Sequence, residues 1–479
     1  MIDLATAAAA FAAPPATVLT GAPIALLDAL RHRFGLRFKL GRSMREQHGC
    51  EASPSDTTAP DGVVFAHTTE EVAEIVRLCA MHRVAVTAFG VFSSLERHVL
   101  GHVGGISIDL SEMDEVMTIN AQDLTATVQA GVTREQLNSE VKDTGLFFPI
   151  DPGSKASLGG MAATRAGGTS AVRYGTMREN VLALTVVTAE GRIIRTARRA
   201  KKSSAGYDLT RIFVGSEGTL GIITEVTVRL YPRPEAIATA VCTFSDVRSA
   251  VDTVIQTIQT GVPLARAEFM DALALRAVNL HTDTQFTERP TLFLEFHGTP
   301  AGVAEQAEIV RDIAREHGGD DYDWADQPEA RTRLWSARHT AFAACERLRP
   351  GWRTFTTDAC VPLSRLAQCI EETIEDTRRS SLLCPLFGHV GDGHLLCLII
   401  ADPDNPAEMA EAERLNQRMM SRALRMEGTC TAEHGIGAQK VVLLTEEFDA
   451  NAVHLMRQLK RAWDPLNILN PGKVIAVPE

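Results

Sequence analysis

Residues 151–168 constrain the fold more than any other stretch, because five of these 18 residues are glycine and many of the others are alanine or serine. Glycine lets the backbone approach a ligand closely, and successive amide groups in such turns can hold an anion. A glycine-rich hairpin in an irregular domain would have the same composition. The chain has neither a GxxxxGK[ST] loop nor a strand-linked GxGxxG sequence, which excludes the two usual nucleotide-binding motifs. Residues 215–224 add three glycines before a predicted strand, so a second segment is also suited to lie against a flat cofactor.

The composition sets broad limits on function. The 479 residues are enough for two or three domains, and the formal charge of -12 argues against a nucleic-acid-binding protein. Local charge decides binding at a site, so an anionic substrate stays open. The nine cysteines include no CxxC pair. This favours buried free thiols in a reducing compartment over a disulfide framework or a cysteine zinc site.

The N-terminal residues are rich in alanine but lack the basic region of a signal peptide. No apolar run reaches the length of about 18 residues that a transmembrane helix needs. We therefore expect a cytoplasmic protein without a transmembrane segment, and peripheral membrane docking stays open.

The first half of the chain alternates predicted helices and strands. Thr68 and Thr133 each stand three residues before a Glu or Gln, the pattern of a helix N-cap, and the second helix ends near Gly145. Apolar runs on both sides of residues 189–191 predict a hairpin. The remaining predictions are a helix over 23–33 and strands over 84–88 and 226–230.

Residues 238–400 have a different pattern, and Pro232 and Pro234 mark a boundary before them. Strand-like and helix-like runs alternate there, which predicts an antiparallel sheet with helices on one face and hence an α+β chain. Asn405 begins a further helix, with Gly428 as its C-cap. The predicted strands are 239–243, 291–296 and 395–400, and the predicted helices are 246–259, 301–316 and 365–379.

Several long motifs resemble the vanillyl-alcohol-oxidase superfamily. They are most similar to its branch of flavin D-lactate dehydrogenases, glycolate oxidase catalytic subunits and D-2-hydroxyglutarate dehydrogenases. The resemblance covers about residues 60–479. The motifs are residues 145–153, 171–181, 202–210, 334–339, 357–358, 361–366, 388–393, 433–437 and 469–473.

The resemblance implies the domain organisation. After an N-terminal lead segment of residues 1–54, residues 55–235 would form a two-part PCMH-type FAD-binding domain. Residues 236–479 would form the cap domain, an antiparallel sheet with helices on one face, typical of FAD-linked oxidases. The tail from about residue 464 would return to the FAD domain.

The resemblance also implies non-covalently bound FAD, held by the loop after Gly90, by both glycine-rich blocks and by the tail. The implied cofactor-binding residues are Gly90, Ser93, Ser94, Leu95, Pro152, Gly153, Gly159, Gly160, Thr164, Gly168, Arg173, Tyr174, Gly175, Glu217, Gly218, Gly221, Ile223 and Asn470.

The catalytic and metal-binding roles come from the same resemblance. Arg338 matches an arginine that holds the substrate carboxylate, a task that suits the bidentate guanidinium. His434 matches the general base, since an imidazole accepts a proton near neutral pH. His389 and Glu433 match ligands of a divalent metal, Zn or Mn. Taken alone, Arg338 is compatible with a surface cation and Glu433 with a helix-capping carboxylate.

Two departures from the family pattern lie in the loop that follows Gly90. Phe92 and Arg97 replace glycines of the expected diphosphate loop. If these positions need a positive φ, each β-carbon costs about 1 kcal/mol. We expect weaker or rearranged FAD binding rather than its loss, with Arg97 placing a cation near the phosphates.

A third departure concerns the metal. Leu396 stands where the family has its second histidine ligand, and His394 lies two residues earlier. These positions lie about 6.7 Å apart along a strand, so His394 would serve as a ligand only if the loop shifts its register. The metal is therefore in doubt. Leu398 also replaces a residue that is polar in some relatives, which favours a short monocarboxylate.

The sequence thus predicts an FAD-dependent dehydrogenase that oxidises a small D-2-hydroxy acid, D-lactate in the first place. Because the chain has no haem or iron–sulphur motif, the electron acceptor would be a separate quinone, cytochrome or electron-transfer flavoprotein. A homodimer stays open. The alternatives are an FAD-binding subunit with impaired catalysis, glycolate oxidation, or alkyl transfer on the same scaffold.

Overall fold

The computed structural model describes residues 20–49, 58–101, 103–282 and 284–477. The chain divides into two compact units. The first unit contains the described residues up to Ala166, then Thr176–Pro232 and the chain from Glu433 onward; the second contains Gly167–Gly175 and Arg233–Ala432. Both units mix helices with sheets, so the predicted α+β class is confirmed. The predicted domain limits of 1–54, 55–235 and 236–479 stay a prediction.

The first unit contains two main sheets and a short strand pair. One sheet has the order β1-β2-β4-β3, with β2, β4 and β3 parallel; the other is antiparallel with the order β5-β6-β10-β8-β9, and β7 pairs with β11. The strands are β1 Phe38–Lys39, β2 Gly62–Phe65, β3 Val86–Phe89, β4 Ile106–Asp109, β5 Thr118–Asn120, β6 Thr125–Gln129, β7 Leu146–Phe147, β8 Val181–Val187, β9 Ile193–Arg195, β10 Ile222–Arg229 and β11 Tyr231–Pro232.

Sequence signals explain the helices of this unit. The hydroxyl of Thr68 accepts a hydrogen bond from the Glu71 amide and begins the helix Thr69–Met81, whose apolar face, including Val72 and Ile75, is buried. Burial of each such side chain contributes about 1.5–3 kcal/mol. The other helices are Ile24–Phe34, Arg42–Gln47, Arg134–Val141, Leu158–Thr164, Met177–Asn180, Leu209–Phe213, Val441–Glu447 and Ala450–Trp463.

The second unit is built on one large sheet, whose main path has the order β15-β12-β14-β13-β18-β19-β16, while β17 pairs with β19. All its pairings are antiparallel, as predicted. The strands are β12 Ala236–Thr243, β13 Leu264–Met270, β14 Thr291–Gly298, β15 Asp320–Ala325, β16 Arg353–Thr356, β17 Ala359–Cys360, β18 Leu386–Gly388 and β19 His394–Ala401.

Helices Ala272–His281 and Pro328–Glu346 share an apolar core with this sheet, to which Phe293 and Phe387 belong. The indole nitrogen of Trp335 donates to the Thr239 hydroxyl across 3.0 Å and ties the longer helix to β12. The other helices of the unit are Ala171–Tyr174, Val247–Gln259, Pro300–Glu316, Leu363–Arg378 and Pro406–Arg425.

The predicted C-cap at Gly428 is wrong. The helix that begins after Asn405 ends at Arg425, and the residue with a positive φ is Glu427, at 62°. Gly428 is required for a different reason. A β-carbon there would lie 2.2 Å from the carbonyl oxygen of Cys360, so a close backbone approach selects this glycine.

The eight described cysteines are free, and all but Cys360 are buried, as predicted; Cys50 lies outside the described residues. Among the described helices, none is both long enough and apolar enough to cross a membrane.

Candidate active site

The two glycine-rich blocks meet in the first unit. The amide of Gly215 donates to Ala162 across 3.0 Å, and that of Glu217 donates to Ala163 across 2.9 Å. The loop after Gly90 joins them, since a β-carbon on Gly90 would lie 2.9 Å from the Ser157 hydroxyl. Three segments far apart in sequence therefore converge, as the resemblance implies.

Asn470 connects the C-terminal tail to the same place. Its side-chain amide donates to the carbonyl oxygens of His98 (3.0 Å) and Glu217 (2.7 Å), and its backbone amide donates to Val86 (2.8 Å). Asn470 adopts a φ of 42°, which asparagine tolerates better than most residues. The tail thus closes onto two of the predicted FAD loops.

This region fits a flat polar cofactor. At Gly153 and Gly218 the φ angles are positive, and a β-carbon would meet no atom closer than 3.9 Å, so open space lies beside the backbone. Within the described part of the chain, the buried Ser216 hydroxyl and the Asn470 side-chain oxygen have no hydrogen-bond partner. Such atoms need a polar partner, and the ring edges of FAD can supply one.

Two predicted cofactor glycines pack against protein instead. A β-carbon on Gly159 would lie 2.5 Å from Ala130, and its amide already donates to the Ala130 carbonyl. A β-carbon on Gly221 would lie 2.5 Å from Val186. Both positions need glycine for close packing, so direct contact with FAD there stays a prediction.

The other predicted cofactor residues divide between the units. Ser93, Ser94, Leu95, Pro152, Gly160, Thr164 and Ile223 belong to the first unit, and Gly168, Arg173, Tyr174 and Gly175 to the second. In the second unit the Tyr174 hydroxyl lies 2.8 Å from Nδ1 of His297, and Arg173 donates to Pro263. These contacts fix the segment within its own unit, and its cofactor role stays a prediction.

The two substituted glycine positions have the backbone that glycine favours. Phe92 has a φ of 55° and Arg97 a φ of 58°, so both carry the steric cost of about 1 kcal/mol anticipated for a β-carbon there. The Phe92 ring stacks on Phe89 at 5.7 Å and remains 44% exposed. Both substituted positions therefore adopt the left-handed backbone at which glycine costs least.

His434 lies on a loop that is fastened by a buried carboxylate. Glu217 accepts hydrogen bonds from the amides of Ile436 (2.7 Å) and Gly437 (2.8 Å). A β-carbon on Gly435 would lie 2.6 Å from this carboxylate, and one on Gly437 would lie 1.8 Å from the Glu96 carbonyl. The two glycines after His434 are therefore required by close packing.

A second buried carboxylate, Glu96, faces the side chains of the same loop. Its Oε1 lies 2.8 Å from Nζ of Lys440 and 3.6 Å from Nδ1 of His434. Burial opposes its ionisation, but the neighbouring His434 and Lys440 lower the pKa of Glu96 below its ordinary value. The predicted base thus faces a negative charge.

Arg338 lies in the second unit, where its side chain is largely buried and paired with a carboxylate, unlike a surface cation. Its Nε donates to Glu268 across 2.7 Å, its guanidinium lies 5.0 Å from the centre of the Phe387 ring, and its side chain is 11% exposed. Glu268 is fully buried and also accepts from Nδ1 of His389 at 2.7 Å. Burial opposes its ionisation, but the charges of His389 and Arg338 lower the pKa of Glu268.

Glu268 therefore orients two predicted site residues at once. Because Nδ1 of His389 faces the carboxylate, Nε2 keeps the lone pair that a metal needs, the usual carboxylate–histidine–metal arrangement. The guanidinium is held at Nε, which leaves its two terminal nitrogens to form the fork that binds a carboxylate.

His394 lies close to His389. Their ring centres are 5.0 Å apart and their ligand atoms lie within 4.8 Å of each other, a spacing that one cation can bridge. Nε2 of His394 is 2.8 Å from the Asp358 carboxylate, and this carboxylate accepts a hydrogen bond from the Thr431 hydroxyl. Leu396 instead packs in the apolar core with Phe387.

Glu433, the third predicted ligand, is the first residue of the C-terminal segment of the first unit. Its role as a ligand stays a prediction.

Sequence reasoning missed Glu268, Asp358, Glu96 and Lys440. An acid inside the apolar strand β13 was the available signal for Glu268, because a buried carboxylate needs partners. Asp358 and Glu96 lie in segments that resemble the family, but nothing in the sequence around them indicated a role for either.

Comparison with known proteins places these features in a family. Residues 60–197 match the FAD binding domain, and residues 233–474 match the C-terminal domain of FAD linked oxidases. A Danio rerio protein named probable D-lactate dehydrogenase, mitochondrial, is 48% identical over 92% of this chain and 89% of its own length. The D-lactate dehydrogenase [cytochrome], mitochondrial, of Arabidopsis thaliana is 45% identical over 87% of this chain and 73% of its own length.

Solved structures share the fold. The 4-ethylphenol oxidase of Gulosibacter chungangensis superposes with a TM-score of 0.79 at 18% identity, covering 96% of this chain and 99% of the other. An alkyldihydroxyacetonephosphate synthase gives a TM-score of 0.75 at 20% identity, covering 96% and 86%. The resemblance drawn from the motifs is confirmed. The chain belongs to the family of FAD-linked oxidases and contains its FAD-binding domain.

Proposed function

We propose that this protein is an FAD-dependent dehydrogenase that oxidises D-lactate to pyruvate and passes the electrons to a separate acceptor. The observation that carries the proposal is the buried Glu268, which aligns the carboxylate-binding Arg338 with His389. The D-lactate dehydrogenase relatives at 38–48% identity support the substrate.

The roles of the residues follow from their surroundings. Arg338 binds the substrate carboxylate with its terminal nitrogens, and Phe387 packs against the guanidinium. His434 accepts the hydroxyl proton at an imidazole nitrogen. When bound, FAD supplies the acceptor for the hydride that leaves the hydroxyl-bearing carbon.

A divalent cation fits the pair His389 and His394. His394 replaces the ligand that the family has at position 396, and the resemblance supplies Glu433 as the third ligand. The cation, Zn or Mn, would supply a Lewis acid that lowers the pKa of the substrate hydroxyl. Metal analysis of the purified protein, compared with His394→Ala, tests this. An equal metal content in both proteins contradicts the role of His394.

The acceptor is a small molecule or a second protein. The names of two relatives, from Arabidopsis thaliana and Saccharomyces cerevisiae, specify a cytochrome, and we propose a quinone, a cytochrome or an electron-transfer flavoprotein here. A cytoplasmic location, with peripheral membrane docking open, and a homodimer stay predictions. Cell fractionation and light scattering test them.

A second candidate is an FAD-binding subunit with impaired catalysis, which the loss of the ligand at Leu396 favours. Anaerobic addition of D-lactate, L-lactate or glycolate to the purified protein separates the two. Bleaching of the flavin absorbance by D-lactate and not by L-lactate supports the proposal. Faster bleaching by glycolate than by D-lactate would identify glycolate as the substrate instead. An oxidised flavin that no hydroxy acid reduces supports the impaired subunit, and a protein that does not bind added FAD contradicts both.

A further inference from the structure

We propose that Glu96 is a positioning residue for His434, holding the imidazole so that Nδ1 faces the carboxylate and Nε2 is presented to the substrate hydroxyl. This inference rests on the proposed function, because it takes His434 as the base.

The contacts of Glu96 are concentrated on one loop. One carboxylate oxygen of Glu96 faces Lys440 and His434. The other lies 3.1 Å from the side-chain nitrogen of Gln439, in the orientation of that side-chain amide in which both its nitrogen and its oxygen have a hydrogen-bond partner. In that orientation the Gln439 oxygen accepts from Nε of Arg97. The Glu96 carbonyl accepts from the amide of Ala438. One 4%-exposed residue therefore contacts four positions of the segment that carries the base.

The two buried carboxylates differ in what they hold. Glu217 accepts hydrogen bonds from two backbone amides of this loop, those of Ile436 and Gly437, and so fixes the course of the chain. Glu96 faces side chains, among them the imidazole itself. Gly435, directly after His434, has a φ of 85°, so the backbone turns sharply at this point. Backbone fixation therefore leaves the rotation of the His434 ring to be set by side chains, and Glu96 is one of them.

The chemistry explains why a carboxylate suits this task. An ionised carboxylate only accepts hydrogen bonds, so it favours the imidazole tautomer that carries its proton on Nδ1. The other nitrogen, Nε2, then has the lone pair. Lys440, 2.8 Å from the same oxygen, offsets the cost of burying the charge. At 3.6 Å the contact with Nδ1 is longer than a hydrogen bond, so it aligns the ring electrostatically.

The competing explanation is that Glu96 merely fastens the loop. A double-mutant cycle distinguishes the two, because a residue that acts through His434 has no further effect once His434 is gone. The variants are Glu96→Ala, His434→Ala and the double variant, in the FAD-loaded protein. Turnover and KM for D-lactate are measured with a dye acceptor, together with FAD content and melting temperature.

We expect Glu96→Ala to lower kcat roughly 10-fold to 100-fold, with KM changed less than about threefold. In the His434→Ala background, the same substitution should change kcat less than about twofold. Equal losses in both backgrounds, or a loss explained by lower FAD content, would overturn the proposal.

Glu96→Ala leaves Lys440 buried beside an empty space, so the pair Glu96→Gln/Lys440→Met provides a variant without an uncompensated charge. Asp109→Asn is the matched control, because Asp109 is a buried carboxylate of the same unit, 2.8 Å from His48. The control should lower the melting temperature without a selective loss of kcat, whereas the pair should lose kcat selectively. A pair that retains full kcat contradicts the proposal.

The tautomer of the His434 imidazole can be measured independently of turnover by nitrogen-15 NMR of protein with labelled histidine. The resonances that are lost in His434→Ala are assigned to His434. We expect the Nδ1–H tautomer in the unsubstituted protein and a mixture in Glu96→Ala. If D-lactate fails to reduce the flavin but the tautomer still depends on Glu96, the proposed substrate is wrong and the positioning role stands. If the tautomer is unchanged, the positioning role is wrong whatever the substrate.

Discussion

Glu268→Gln is the substitution that tests the site most directly. Glu268 is fully buried and contacts both the Arg338 guanidinium, at 2.7 Å, and Nδ1 of His389, at 2.7 and 2.8 Å. Glutamine keeps the shape but has only one acceptor oxygen. Its amide nitrogen then faces a donor, either the arginine or the histidine. The substitution therefore removes one charge-assisted hydrogen bond and leaves a buried cation without a counter-charge.

The expected magnitudes follow from these contacts. A buried hydrogen bond to a charged group contributes about 1.5–3 kcal/mol, so the free energy of unfolding should fall by about 2–3 kcal/mol. Once Arg338 is free to move, misplacement of the substrate by about 1 Å should lower kcat/KM for D-lactate about 100-fold. Urea unfolding measures the first quantity, and dye-linked steady-state kinetics measure the second.

Glu295→Gln is the matched control for this experiment. Glu295 is a buried acid of the same sheet, 2.8 Å from Nε2 of His297 and 3.5 Å from Arg266, and neither of these partners is a predicted catalytic residue. It should lose comparable stability with little change in kcat/KM. Equal effects of the two substitutions on kcat/KM would refute the reasoning, because Glu268 would then act only through stability.

Three further predictions concern other parts of the molecule. His434→Ala should lower turnover by about 100-fold or more while visible flavin absorbance is retained, since only proton transfer is lost; unchanged turnover removes His434 from the mechanism. Lys460 donates to Asp464 (2.5 Å), Thr219 (2.7 Å) and Leu469 (2.8 Å), so Lys460→Met should cost about 3–5 kcal/mol in urea unfolding by leaving the Asp464 carboxylate buried without its counter-charge. The hydrogen bond from Arg37 lowers the pKa of Glu71 to about 2, below its ordinary 4.5, so this carboxylate stabilises the fold above pH 4.5 and its contribution is lost as the pH falls toward 2. Glu71→Gln should make thermal stability less dependent on pH in that range, and an unchanged pH profile counts against the pairing.

Local signals predicted the elements they determine. Thr68, Thr133 and Asn405 cap helices where expected, because a cap is a contact between residues two or three positions apart. The hairpin of β8 and β9 forms around the predicted turn for the same reason. The helices Ala272–His281 and Pro328–Glu346 were not predicted. Half of their buried residues are alanine, whose small side chain gives little contrast between a buried and an exposed face.

The candidate site shows the limit of sequence reasoning more clearly. Arg338 and His389 were predicted from motifs, but the residue that connects them, Glu268, lies 70 positions from one and 121 from the other. A carboxylate in a strand has no local feature that names its partners, because sheet pairing and helix packing bring them together. The same holds for Glu96, which meets Lys440 only when the C-terminal segment folds back within the first unit.

The register of β19 decides what the substitution at position 396 means. A strand places residues 394 and 396 on the same face but about 6.7 Å apart, so strand geometry alone predicts that His394 cannot replace a ligand at position 396. The turn before the strand removes this obstacle. The amide of His394 donates to the His389 carbonyl at 3.2 Å, and Gly393 has a φ of 80°, so the turn brings His394, the first residue of the strand, back beside His389. Leu396 then belongs wholly to the apolar core. Leu396→His should therefore not raise the metal content and should cost stability by burying an imidazole among apolar side chains. His394→Leu should lower the metal content. A gain of metal in Leu396→His would show that the family register is still available, and that His394 is a neighbour of the metal site rather than its ligand.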